Sequence, residues 1–180
     1  WKGFFGAAIR RGLQKQPQDW PAGFHGFLPA RRREDALAVQ ICVGHRLRRR
    51  KLAHLNNLHD MSNAFASTTP EARRIAIREL VLPRDRAVFH HRAAHAAIFL
   101  GFAEGGDEPW RDERHLVLRH GCGGLMGSSE EPIIFAKIMQ RPFHAWRSAR
   151  PDSQALDLQC GIFPRKVDGG TSVFADDIFD

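Results

Sequence analysis

Thr171-Ser172-Val173-Phe174-Ala175-Asp176-Asp177-Ile178-Phe179-Asp180 is the stretch from which the rest of the chain is read. Val173-Phe174 and Ile178-Phe179 are short, apolar and β-prone, so the segment spells a strand, a tight turn carrying the acids and a returning strand. Adjacent carboxylates at a hairpin tip repel each other. The arrangement becomes favourable when a divalent cation sits between them and a third carboxylate, which directs the search upstream. Without such a partner, Asp-Asp is simply a turn, since aspartate bonds its own backbone there.

The candidate partner is Asp60, in Leu58-His59-Asp60-Met61-Ser62-Asn63-Ala64-Phe65. Asp-x-x-x-Ala-Phe followed far downstream by Phe-Ala-Asp-Asp resembles the two metal-binding motifs of reverse transcriptases, above all those of retrotransposons lacking long terminal repeats. Two more stretches match in the same order. Gly26-Phe27-Leu28-Pro29-Ala30-Arg31-Arg32-Arg33-Glu34-Asp35-Ala36-Leu37 looks like the family's fingers segment, with Leu28 where arginine is usual. Gly127-Ser128-Ser129-Glu130-Glu131-Pro132-Ile133-Ile134-Phe135 looks like its palm segment after the glutamine, a position held here by Met126.

The resemblance implies an α+β fold: a right-hand polymerase palm, an antiparallel sheet backed by helices, with a partial fingers region over 1–51, a palm over 52–180 truncated at the Asp-Asp hairpin, and no thumb. It implies RNA-directed DNA polymerisation with two Mg²⁺ ions, an RNA template, a DNA primer and deoxynucleoside triphosphates. By motif match, Asp60 and Asp176 bind the metals and Asp177 supports them. Arg31 matches the fingers arginine, Asn63 and Ala64 would offer backbone N–H groups to the triphosphate, and Gly127 would let the substrate backbone approach. Phe65 matches the aromatic residue beneath the sugar that excludes a 2′-hydroxyl. The alternative is a decayed copy that binds nucleic acid without turnover.

Composition agrees with a nucleic-acid partner. A hydrophobic share of 43% with 26% charged residues is that of a cored domain rather than a disordered tail, and a net charge of +7 with a pI near 10.1 favours polyanions. The cations concentrate in Arg31-Arg32-Arg33, at the mouth of a helix, and in Arg46-Leu47-Arg48-Arg49-Arg50-Lys51, at its end. Arg32, Arg33, Arg46, Arg48 and Arg49 are the candidate nucleic-acid contacts; a solvated cationic helix end is the plainer reading of the second run. Cys42, Cys122 and Cys160 form no Cys-x-x-Cys pair, and no apolar run approaches the roughly 20 residues of a membrane helix. The expectation is an intracellular protein with no membrane partner. A chain that opens on Trp1 reads as a piece of a longer one.

Residues 1–25 show no sustained periodicity and read as fingers or linker structure. From Arg33 the spacing of Leu37, Ala38, Ile41 and Cys42 predicts a helix burying that face. Leu52 to Asp60 is expected as the central palm strand, although Asn56 and Asn57 are strand-averse. Thr68 and Glu71 have capping-box spacing with Pro70 in the first turn, predicting a helix that places Ile75 and Leu80 in the core and stops at Pro83. A second helix, 84–97, carries His90, His91 and His95; His91 and His95 are one turn apart, but no third ligand stands at a supporting spacing, so a histidine-based metal hydrolase lacks its ligand set. Strands are expected at 98–102 and 115–118, and within 154–163. A helix follows Ser128 and Glu131, in capping-box register, with Ile134, Phe135, Ile138 and Met139 on one face.

Overall fold

The computed structural model describes residues 2–21, 23–101, 115–118, 121, 123–124, 127–149, 157–159, 166–168, 171–174 and 177–179. Among the described residues the architecture is α+β, with five helices and short antiparallel strands: α1 Lys2–Lys15, α2 Arg33–Arg49, β1 Leu58–His59, α3 Pro70–Leu80, α4 Pro83–His95, β2 Ile98–Gly101, β3 His115–Leu118, α5 Glu131–Ala149, β4 Asp157–Gln159, β5 Lys166–Asp168, β6 Ser172–Phe174 and β7 Asp177–Phe179. β1, β7 and β6 form a three-stranded antiparallel sheet in that order, while β2 pairs with β3 and β4 with β5.

Local chemistry starts and stops several of these elements. Thr69 caps α3 by accepting the Ala72 N–H at 3.2 Å, with Pro70 at the first helical position, where its missing N–H leaves nothing unsatisfied. The cap is thus one residue later than the spacing of Thr68 and Glu71 suggests, because the Thr68 hydroxyl donates instead to the Phe65 carbonyl. Pro83 opens α4 in the same way as Pro70 opens α3. The segment 98–118 gives the expected strand pair, with Ile98 opposite Leu118 and Gly101 opposite His115; its connecting Gly-rich segment lies outside the described residues.

One core joins residues from both 1–51 and 52–180. Phe5, Ala8 and Ile9 of α1, Ile77 and Leu80 of α3, Phe89 of α4, and Ile134, Phe135 and Met139 of α5 are all buried in it, together with Phe24 and Val173. Within residues 1–25, expected as fingers or linker structure, α1 is a packed helix. Phe5, Ala8, Ile9 and Gly12 share one helix face, and at Gly12 a Cβ would stand 1.9 Å from the Leu80 carbonyl oxygen, so α1 and the end of α3 touch only because that residue is glycine. The Arg11–Asp85 pair at 3.0 Å ties α1 to α4.

Two further expectations are corrected. α2 buries Ala36, Val43 and Gly44, whereas Leu37 and Ile41 are 42% and 67% exposed, because its contact is with β6, where Gln40 Nε2 donates to Ser172 Oγ at 3.2 Å. The Leu52–Asp60 strand shrinks to Leu58–His59, an edge strand, and β7 is central instead. Asn56 and Asn57 lie just ahead of it, and all residues from 52 to 60 are exposed, so no packed face extends the pairing.

The sheet is two-sided. Val173 pairs with Ile178, and Ile178 with His59, so these three share a face. Val173 is fully buried, Ile178 packs on the core, and the His59 ring centroid lies 6.4 Å from that of Trp146 in α5. The opposite face carries Ser172, beneath α2, and then Phe174 and Asp177.

Candidate active site

Antiparallel pairing of β1 with β7 matches Leu58 to Phe179 and His59 to Ile178. Continued by one residue, that register sets Asp60 opposite Asp177, which on its other side faces Phe174. Directly opposed residues in adjacent strands lie on one face with Cβ atoms about 5 Å apart. The continued register thus sets Asp60 and Asp177 together on the face that carries Ser172 and Phe174, and both are exposed. Neither has an ion-pair partner among the described residues. Asp176, the third carboxylate of the expected set, lies outside the described residues, and no cluster of three or more His, Cys, Asp or Glu forms among those described. Two opposed carboxylates without a cation suit a divalent oxygen-seeking ion in donor type and charge.

The turn after Asp60 is fastened to the glycine segment before α5. Gly123 N–H donates to Thr68 O and Gly124 N–H to Phe65 O, both at 2.8 Å. Asn63 has φ 54, a left-handed conformation asparagine tolerates, and the N–H groups of Asn63 and Ala64 make no hydrogen bond among the described residues. The Ala64 side chain is buried. Phe65 is half-buried, its ring 4.9 Å from Phe135 and 6.2 Å from Phe27. Gly127, at φ 88 and exposed, occupies backbone space in which side chains are strained.

The arginines divide. Arg31 is partly buried and its guanidinium donates to the carbonyls of Trp20 at 3.2 Å, Phe24 at 2.5 Å and Pro21, fixing the loop that leads to the sheet. Burial lowers its pKa. Arg32 and Arg33 are exposed at the start of α2, where the Asp35 carboxylate accepts the Arg32 N–H at 3.0 Å. The Arg33 guanidinium lies 6.0 Å from the centre of the Phe174 ring, beside the acids. Arg46, Arg48 and Arg49 are exposed in the last turn of α2, about 20 Å along the helix from Arg33. They do not share the acid site.

Sequence reading missed the aromatic contribution to this face. Phe27 and Phe174, with ring centroids 5.8 Å apart, continue the Phe65–Phe135 row towards Asp177. The only signal was their place inside motif segments, where a phenylalanine reads equally well as core. On α4, His91 and His95 have ring centroids 4.4 Å apart, with no third ligand among the described residues.

His25 makes a separate prediction. Its backbone N–H donates to Val173 O at 2.8 Å, and its Nδ1 is buried without a hydrogen-bond partner among the described residues. Burial, then the Arg31 charge, pushes its pKa below 6.5, with Asp35 opposing. The folded state therefore binds this proton less readily than the unfolded chain, so the contribution to stability is complete above pH 6.5 and declines as pH falls below it. Thermal unfolding at about pH 7.5 and 5.5 should show a smaller acid destabilisation for His25→Gln than for the unsubstituted protein. Equal losses would remove His25 as the cause.

No protein-family model matches the chain, and no curated protein matches it.

Proposed function

We propose that this chain is the palm-bearing part of an RNA-directed DNA polymerase of the retroelement type. The observation that carries the reading is the pairing of β1 with β7: β1, which ends one residue before Asp60, lies beside β7, which begins at Asp177, and the register continued by one residue sets the two acids opposite each other. Asp60 and Asp177, with Asp176 by motif, are the residues that would hold two Mg²⁺ ions. When bound, these supply charge neutralisation at the transferred phosphate and lower the pKa of the primer 3′-hydroxyl. The N–H groups of Asn63 and Ala64 face the triphosphate as donors, and Arg33 adds a cation at the same end of the sheet. Phe65, backed by Phe135, forms the floor under the deoxyribose. The five-helix α+β frame and the exposed arginines of α2 support the reading without deciding it.

Two observations favour a second reading, a nucleic-acid-binding domain without turnover. The first motif strand is reduced to Leu58–His59, and the Arg31 guanidinium is engaged by loop carbonyls rather than open to a substrate. Incubation with an RNA template, annealed DNA primer, Mg²⁺ and deoxynucleoside triphosphates separates the two. Extension of the primer supports the polymerase; binding of the hybrid with no added nucleotide supports the binding module. Failure to bind the hybrid would overturn both.

The same binding assay tests the arginines. Affinity for an RNA–DNA hybrid should fall steeply with salt, and Arg46→Ala, Arg48→Ala and Arg49→Ala together should reduce the log–log slope by up to about 2–3, since each phosphate contact contributes nearly one. An unchanged slope assigns the end of α2 to open solvent.

A further inference from the structure

We infer that the exposed face of Phe27 is a stacking platform for a nucleobase, an inference that rests on the nucleic-acid reading above. Among the described residues, the exposed large hydrophobic side chains are Leu37, Ile41, Leu52, Leu55, Leu58 and Phe27, so Phe27 is the one phenylalanine or tryptophan in that set; it is 41% exposed. Its backbone is as unusual as its position. Phe27 has φ 57, a left-handed conformation that glycine or asparagine adopts at far lower cost than a bulky side chain. Strain of this kind persists only where the surroundings enforce it, and it concentrates at ligand-binding positions.

The enforcement is visible. His25 N–H donates to Val173 O and Val173 N–H donates to Gly23 O, zipping the segment onto β6 in parallel through Phe24 and Val173. At Gly23 a Cβ would lie 2.2 Å from the Thr171 carbonyl oxygen, so the close approach requires glycine. Two residues beyond this zipper, the Phe27 ring leans on Phe65 at 62° and on Phe174 at 39°, leaving its outer surface open. Phe174 faces Asp177 across the hairpin, and Arg33 stands over the Phe174 ring. The platform therefore lies between a cation suited to phosphate and the carboxylates suited to a metal-bound phosphate. Every nucleobase has a π face, so stacking there tolerates any sequence.

The base could belong to a single strand or to a free nucleotide, and one experiment distinguishes them. Fluorescence anisotropy of a labelled single-stranded RNA of roughly a dozen nucleotides measures strand binding. Competition by a deoxynucleoside triphosphate and by inorganic triphosphate, which lacks a base, measures the free ligand. Phe27→Ala and Phe27→Leu should weaken the base-containing ligand about tenfold without changing the salt slope, while Phe27→Trp restores binding and inorganic triphosphate competes equally with all. Loss confined to the RNA identifies a strand, and loss confined to the nucleotide identifies the incoming triphosphate. If Phe27→Ala fails to fold by circular dichroism, the leucine and tryptophan variants decide. Phe27→Leu binding both ligands as tightly as the unsubstituted chain would overturn the platform alone; an unsubstituted chain that binds neither ligand would overturn the nucleic-acid reading and the platform with it.

Discussion

On the proposed reading, primer extension should fall on the order of a thousandfold when Asp60 is replaced by asparagine, while affinity for the RNA–DNA hybrid should change little. The charge of a metal-holding carboxylate acts on the transferred phosphate, and loss of several kcal/mol of that stabilisation corresponds to a rate loss of this size. Hybrid binding would draw instead on the exposed arginines of the proposed interface. Asp177→Asn should fall in the same direction, since the β1–β7 register continued by one residue sets Asp177 opposite Asp60. A readout independent of turnover accompanies it. Opposed like charges on neighbouring strands destabilise by about 0.2–1 kcal/mol, so in metal-free buffer Asp60→Asn should melt at or slightly above the unsubstituted protein. Adding Mg²⁺ should raise the melting temperature of the unsubstituted protein more than that of the variant, because only the former keeps both carboxylates. Equal Mg²⁺ responses, or extension by Asp60→Asn at the unsubstituted rate, would remove Asp60 from the site.

Glu131→Ala should be the most destabilising single change away from the acids, at about 3–5 kcal/mol and roughly 10 °C in melting temperature. Glu131 and Arg73 are 7% and 9% exposed and meet in a two-pronged pair, Nη1 to Oε2 and Nη2 to Oε1, each at 2.5 Å. Removing the acid leaves the buried guanidinium uncompensated in the core between α3 and α5. Beside it Arg92 of α4 pairs with buried Glu130 at 3.0 Å, donates to Ser128 Oγ at 2.7 Å and lies over the Phe5 ring at 4.4 Å. The first residues of α5 are thus held to α3, α4 and, through Phe5, α1. Replacing both partners together, Arg73→Met with Glu131→Leu, should recover much of the loss, since an apolar pair leaves no buried charge. A double variant as unstable as Glu131→Ala would show that the pair contributes shape rather than charge compensation.

Serine and glutamate at 128 and 131 illustrate how far local reading carries. Their capping-box spacing predicts a helix from residue 129, two residues before α5 begins at Glu131, while Ile134, Phe135 and Met139 are buried on the face that periodicity selects. Yet the Glu131 carboxylate goes to Arg73 and the Ser128 hydroxyl to Arg92, partners far away in sequence. The same division holds in the carboxylate site. The alternation of Val173, Phe174, Ile178 and Phe179 suffices to place a hairpin at the end of the chain, and Asp60 is singled out by its motif.

What the amino-acid sequence determined alone is therefore the set of elements whose signals lie within a few residues: the threonine–proline start of α3, the proline start of α4, β2, β3, the β6–β7 hairpin and the apolar face of α5. Tertiary structure decided which surfaces meet. α1 exists as a packed helix because α3 offers Leu80 to Gly12, a complementarity invisible in residues 1–25. α2 turns Ala36, Val43 and Gly44 inward and leaves Leu37 and Ile41 outside, since its packing on β6, where Gln40 bonds Ser172, sets which face is covered. Arg31 is drawn to the carbonyls at 20–24 by a fold of the loop on itself. The continued register that sets Asp60 opposite Asp177 comes from the pairing of β1 on β7, which is long-range and which no local periodicity encodes.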